Sequence, residues 1–214
     1  MRVKALLFDL DGVILDSEKV YSKFWKQASE ELGYPLETEI ILQLRSCDSS
    51  IAKAIIEEAT GEEGSYQKIR SKRKELMKGY MDQYDLEIKP GVKEFLEDVQ
   101  DLQLKKVIVT SAVPDEKVPI LRKLGIVDFF DDIISVKDVS RSKPYPDVYI
   151  YACQSLGLAP EECLAIEDAP NGIKSAFDAG VNVVMVPDLS DPTDELKEMC
   201  TVVNRIDEIS KILS

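Results

Sequence analysis

Lys4-Ala5-Leu6-Leu7-Phe8-Asp9-Leu10-Asp11-Gly12-Val13-Ile14-Leu15-Asp16 decides how the rest of this chain is read. Ala5 to Phe8 is a short apolar run, the pattern of a parallel strand covered on both faces. The run stops at Asp9. Asp11 follows two residues on, and Gly12 permits a sharp turn directly after it. Ionised carboxylates at the end of a buried strand must be paired or bound to a metal. Two acids in a solvated turn would look the same locally, so the discrimination lies further along the chain.

The chain of 214 residues suits one sizeable domain, or a domain with a modest insertion. Its 40 acidic and 27 basic residues give a formal charge of −13, which argues against a nucleic-acid partner. An enzyme of this charge acting on phosphate needs a divalent cation and locally placed Lys or Arg. No apolar run approaches the roughly 20 residues of a membrane span. Met1 to Lys4 lead straight into the first strand without a signal-peptide pattern, so a cytoplasmic location is expected. The four cysteines form no CxxC pair and read as packing residues in a reducing compartment. There is no histidine, which removes Ser-His-Asp and Cys-His catalysis and histidine-ligated metals. Acid–base chemistry must come from carboxylates, Lys or Tyr.

From Ser17 to about Tyr84 the spacing is helical throughout, and Gly33 and Gly61 are natural stops. Four helices are expected: about Val20–Leu32, around Ile40–Leu44, Ile51–Ala59 and Ile69–Tyr84. Beyond a linker at Glu87-Ile88-Lys89-Pro90-Gly91, strands alternate with helices. Strands are expected at Val107–Val109, Ile133–Val136, Leu164–Ile166 and Val183–Val186, five in all with the first. A last helix is expected over Ile206–Leu213. This is an α/β chain with a doubly wound, Rossmann-like parallel sheet. Residues 1–16 and 88–214 form its core, and residues 17–87 form a small helical domain inserted after the first strand. Ligands of such sheets bind beyond the carboxyl ends of the strands.

Four of those ends carry polar groups. They are Asp9 and Asp11, then Thr110-Ser111, then Arg141-Ser142-Lys143-Pro144 in a loop, then Glu167-Asp168. Each alone is an ordinary cap, turn or surface loop. Together they supply a nucleophile, a proton donor, a cation for phosphate oxygens and a carboxylate cage for a metal, which is the set that phosphoryl transfer needs.

The order of these motifs resembles that of the haloacid dehalogenase superfamily. Asp9-Leu10-Asp11-Gly12-Val13 looks like its first motif, Thr110 its second, and Lys143-Pro144-Tyr145-Pro146-Asp147 its third. Glu167-Asp168-Ala169-Pro170-Asn171-Gly172 looks like its fourth, with Ala169 where a small hydroxyl residue is usual. The helical insertion resembles the family's C1 cap, and the branch is that of β-phosphoglucomutase, phosphoglycolate phosphatase and sugar-phosphate phosphatases. The resemblance implies a Mg²⁺-dependent phosphatase acting on a small phosphorylated metabolite, commonly as a monomer. Asp9 would be the nucleophile and Asp11 the general acid and base. Lys143, Thr110 and Ser111 would hold the phosphate. Asp9, the Asp11 backbone carbonyl and Asp168 would hold Mg²⁺, with Glu167 outside the first sphere. Asp at position 11 disfavours dehalogenation.

Two further readings follow from the same resemblance. A mutase of the β-phosphoglucomutase type uses a cap histidine, and Tyr21 stands at that place here. A catalytically inactive binding protein would be expected to lack one of the core motif residues, and Asp9, Asp11, Lys143 and Asp168 are all present. In the insertion, Arg45 and Tyr21 are candidates for reading the leaving group. A solvated surface position is the alternative for Arg45, and a place in the cap core is the alternative for Trp25.

Overall fold

The computed structural model describes residues 3–213. Strand β1 (Ala5–Phe8) is followed by helices α1 (Glu18–Glu31), α2 (Thr38–Gln43), α3 (Ser49–Thr60) and α4 (Ser65–Met81). The chain then runs through α5 (Val92–Asp98), β2 (Lys105–Thr110), α6 (Pro114–Lys123), β3 (Asp132–Ser135) and α7 (Asp147–Leu156). It ends with β4 (Cys163–Glu167), α8 (Pro170–Asp178), β5 (Asn182–Met185), α9 (Asp194–Met199), β6 (Thr201–Val202) and α10 (Ser210–Leu213).

The strands form one parallel sheet in the order β3-β2-β1-β4-β5-β6. Alternation along β1 shows why it lies at the centre. Leu6 and Phe8 join an apolar cluster on one face with Phe95, Ile108 and Leu121. Ala5 and Leu7 join the other, with Val107, Tyr149 and Ile173. Both faces are covered, so the strand tolerates no polar residue until it ends. β1 pairs with β2 on one side and β4 on the other, which is the point where the winding order reverses and where open α/β sheets bind ligands.

Helices α1 to α4 hold a separate cluster of Ala28, Leu36, Ile41, Ile56 and Ile69. The chain leaves and re-enters the sheet domain side by side. Leu15 bridges Ile88 antiparallel, Asp16 N–H donates to the Glu87 carbonyl, and Lys89 N–H donates to that of Ile14.

Three expectations are corrected. The sheet has a sixth strand, β6, preceded by α9. A two-residue edge strand carries too short a pattern to read. The last expected helix is a 3-10 turn over Ile206–Ile209 followed by the short α10. The fourth helix of the insertion begins at Ser65 and ends at Met81, short of Tyr84. Among the described residues, no helix is long and apolar enough to cross a membrane.

Candidate active site

β1, β2 and β4 end side by side, so Asp9, Thr110, Glu167 and Asp168 meet at one edge of the sheet. Lys143 enters from the loop after β3. It is fully buried, and all three of its N–H donors are used. They reach Asp9 Oδ1 at 2.7 Å, Glu167 Oε1 at 2.6 Å and the Val109 carbonyl at 2.8 Å. Burial alone would lower the lysine's pKa, but the carboxylates of Asp9 and Glu167 outweigh it and hold the ammonium.

Asp9, Glu167 and Asp168 can each offer one oxygen within 4.8 Å of the others, and all three are buried. Burial pushes the Asp9 carboxyl up against the pull of Lys143. Burial likewise pushes Glu167 up to about 7 and Asp168 well above the carboxylate range. Such a cluster is costly without a cation. Asp168 Oδ1 and Glu167 Oε2 are buried with no hydrogen-bond partner. Two glycines make room for these carboxylates. A Cβ at Gly12, whose φ is +93°, would stand 2.4 Å from Asp168 Oδ2, and one at Gly172 would stand 2.0 Å from Glu167 Oε2. Orphaned hard oxygen donors in a tight acidic cradle fit a small divalent cation.

Asp11 points away from that cluster. Its Oδ1 accepts from Ser17 Oγ and from Lys117 Nζ, each at 2.5 Å. Lys117 also donates to the Tyr21 hydroxyl at 2.7 Å. Thr110 Oγ1 accepts from Ala112 N–H at 3.0 Å, which leaves its own proton free to donate. Ser111 and Ser142 share a hydroxyl bond of 2.8 Å. Ser46, held at φ +48°, sets its hydroxyl 3.4 Å from Asp9 Oδ2.

Arg45 is not a solvated residue. It is 4% exposed, with Nη1 3.2 Å from Asp168 Oδ2, Nη2 2.5 Å from Ser190 Oγ and Nε 3.3 Å from the Leu42 carbonyl. Trp25 is half-buried. It packs on the insertion's own cluster and also borders a cavity of about 860 Å³ between the helical insertion and the sheet. Asp9, Asp11, Tyr21, Arg45, Thr110 and Ser111 all line that cavity.

Four groups at the site went unread in the sequence. Glu18, buried on the first turn of α1, is pushed up to about 8 by burial and by Asp11. Tyr149 donates to Glu167 Oε1 from inside the sheet's second apolar face. Lys117 sits among Pro114, Asp115 and Glu116 in a segment that reads as surface, yet it is buried against Asp11 and Tyr21. Arg73 lies over the rings of Trp25 and Tyr21, at 4.7 and 5.2 Å. The α4 spacing of Arg70, Arg73, Lys74 and Lys78 could have signalled a common face.

Residues 6–186 match the model of the haloacid dehalogenase-like hydrolase family. The chain belongs to that family. It is 26% identical over 213 residues to a phosphorylated carbohydrates phosphatase of Thermotoga maritima, covering 99% of this chain and 98% of that one. It is 30% identical over 194 residues to a β-phosphoglucomutase of Bacillus subtilis, covering 86% and 83%. In fold it is similar to a β-phosphoglucomutase of Clostridium difficile, with a TM-score of 0.80 at 23% identity over 97% of this chain and 93% of that one.

Proposed function

We propose that this chain is a Mg²⁺-dependent phosphatase that hydrolyses a small phosphorylated metabolite, a sugar phosphate, through an aspartyl-phosphate on Asp9. The observation that carries this reading is the buried pair of Lys143 and Asp9 beside two further acids that lack partners for one oxygen each. The kinship with a phosphatase of phosphorylated carbohydrates supports it along nearly the whole chain.

Asp9 attacks phosphorus and the ester P–O bond breaks, with Asp11 giving its proton to the leaving oxygen. Water then attacks the aspartyl-phosphate while Asp11 takes its proton, and inorganic phosphate and free Asp9 result. Lys143 neutralises a phosphoryl oxygen as a compact point charge, and Thr110 and Ser111 donate hydrogen bonds to the same group. Mg²⁺ would be held by Asp9, Asp168 and the Asp11 backbone carbonyl, with Glu167 outside that set, and it supplies the positive charge that lets one anion approach another. Residues 17–87 act as the cap over the site, excluding water and contacting the leaving group. The reading includes a monomer in the cytoplasm with no nucleic-acid or membrane partner.

The test is phosphate release from a panel of hexose and pentose phosphates, phosphoglycolate and nucleotides, with Mg²⁺ and with a chelator. Mg²⁺-dependent release favouring sugar phosphates is expected. Interconversion of glucose phosphates without free phosphate would make the chain a mutase. Silence across the panel would remove the phosphatase reading.

A further inference from the structure

The chain carries far more acid than base, yet one helix face is strongly cationic. Arg70, Arg73, Lys74 and Lys78 on α4 recur at helical spacing, with Met77 and Met81 on the same stripe, and all six line the cavity. Among the described residues, Arg70, Arg73 and Lys78 make no ion pair, and Lys74 reaches only Glu116, at 3.8 Å. The aromatic contacts of Arg73 hold its guanidinium without neutralising it, and its Nε is buried with no hydrogen-bond partner. Lys117 lies 4.9 Å from the centre of the same Tyr21 ring. Two cations therefore flank one tyrosine at the cavity wall, and Asp11 answers only one of them. Opposite, the sheet supplies Asp9 and the groups proposed to take the transferred phosphate. Nothing in that set requires a second, cationic wall.

We propose that the cationic face of α4, centred on Arg73, is a second anion-binding subsite, and that the preferred substrates carry a second negative group on the part that leaves. That group is a phosphate or a carboxylate, both of which an arginine fork can bind. The proposal rests on the phosphatase reading and narrows it from sugar phosphates in general to sugar bisphosphates or phosphorylated sugar acids.

Three substrates with one carbon skeleton test it: glucose 6-phosphate, 6-phosphogluconate and glucose 1,6-bisphosphate. The wild-type enzyme is expected to favour one of the two-anion substrates in kcat/KM by on the order of tenfold, the scale of one hydrogen bond to a charged group. Arg73→Met should remove most of that preference, chiefly through KM, and Arg73→Lys, which keeps the charge and loses the fork, should retain part of it. Arg70→Met provides a second variant should Arg73→Met not fold. Calorimetric titration of all three compounds into the Asp9→Asn protein gives a readout that needs no turnover. Equal wild-type kcat/KM for the three, or a preference unchanged in Arg73→Met, overturns the subsite and leaves the phosphatase standing. If none of the three is hydrolysed, the wider panel above decides the phosphatase reading. Calorimetry then decides the subsite, which is overturned if neither two-anion ligand binds more tightly than glucose 6-phosphate.

Discussion

Lys117 Nζ stands 2.5 Å from Asp11 Oδ1, and the lysine side chain is only 4% exposed. The two residues come from different parts of the sheet domain, and Tyr21 of α1 closes the triangle from the helical insertion. Removing one partner of a buried pair leaves an uncompensated charge, which costs about 3–5 kcal/mol where burial is complete. Asp11 retains some water contact, so the lower end applies. Lys117→Met should destabilise the metal-free protein by about 3 kcal/mol in urea unfolding. A double-mutant cycle with Asp11→Asn should give a coupling of about 1–3 kcal/mol. Additive effects would show that the pair contributes nothing beyond its separate members.

Gly172 tests the acid cradle without touching a charge. In most helices Gly→Ala gains up to about 1 kcal/mol. Here the added methyl would meet Glu167 Oε2 at 2.0 Å, and Glu167 cannot yield freely because Lys143 and Tyr149 hold its other oxygen. Overpacking of this kind costs about 1–3 kcal/mol, so the clash outweighs the helix gain. Gly172→Ala should lower the melting temperature and weaken Mg²⁺ binding by about tenfold or more in a calorimetric titration. Unchanged Mg²⁺ affinity would mean that Glu167 has no part in holding the ion.

The sheet and its strand-end residues were legible because each rests on a local pattern. A buried strand must end where its first charge appears, and Asp9, Thr110, Glu167 and Asp168 mark those ends. Lys143 was legible only through its motif, since nothing in the composition of its loop predicts full burial. What stayed hidden came from tertiary contact. Lys117 and Glu18 look like surface residues until α1 and α6 face each other across the cavity. Arg45 has no local signal that separates a solvated loop from a guanidinium buried against Asp168. β6 was missed because two residues carry no period.

In the proposed mechanism Asp9 and Asp11 divide the chemistry, so their amides should fail differently. Asp9→Asn should abolish turnover while the far-UV spectrum stays native-like, whatever the loss of the buried partner of Lys143 does to the melting temperature. Asp11→Asn retains the nucleophile and loses the proton donor and base, a loss worth about 10²–10⁴-fold. It should form the aspartyl-phosphate slowly and hydrolyse it more slowly still, so that phosphorylated protein accumulates in intact-mass spectra. Wild-type hydrolysis rates in Asp11→Asn would remove Asp11 from its acid–base role, and substantial activity in Asp9→Asn would remove Asp9 as nucleophile.

Glu18 ties stability to pH through burial. Its folded carboxyl is pushed up to about 8 from an ordinary value of 4.5, first by burial and then by the charge of Asp11. Between those values the folded chain holds a proton that the unfolded chain releases, so stability falls as pH rises. The contribution is fully present below pH 4.5 and is lost by the time pH passes about 8. Gln keeps the shape and cannot ionise. In urea unfolding of the metal-free protein, Glu18→Gln should match wild type near pH 4.5, gain on it steadily up to about pH 8, and hold a constant advantage above. Parallel curves for the two proteins across that window would show that Glu18 keeps an ordinary carboxylate in the folded chain.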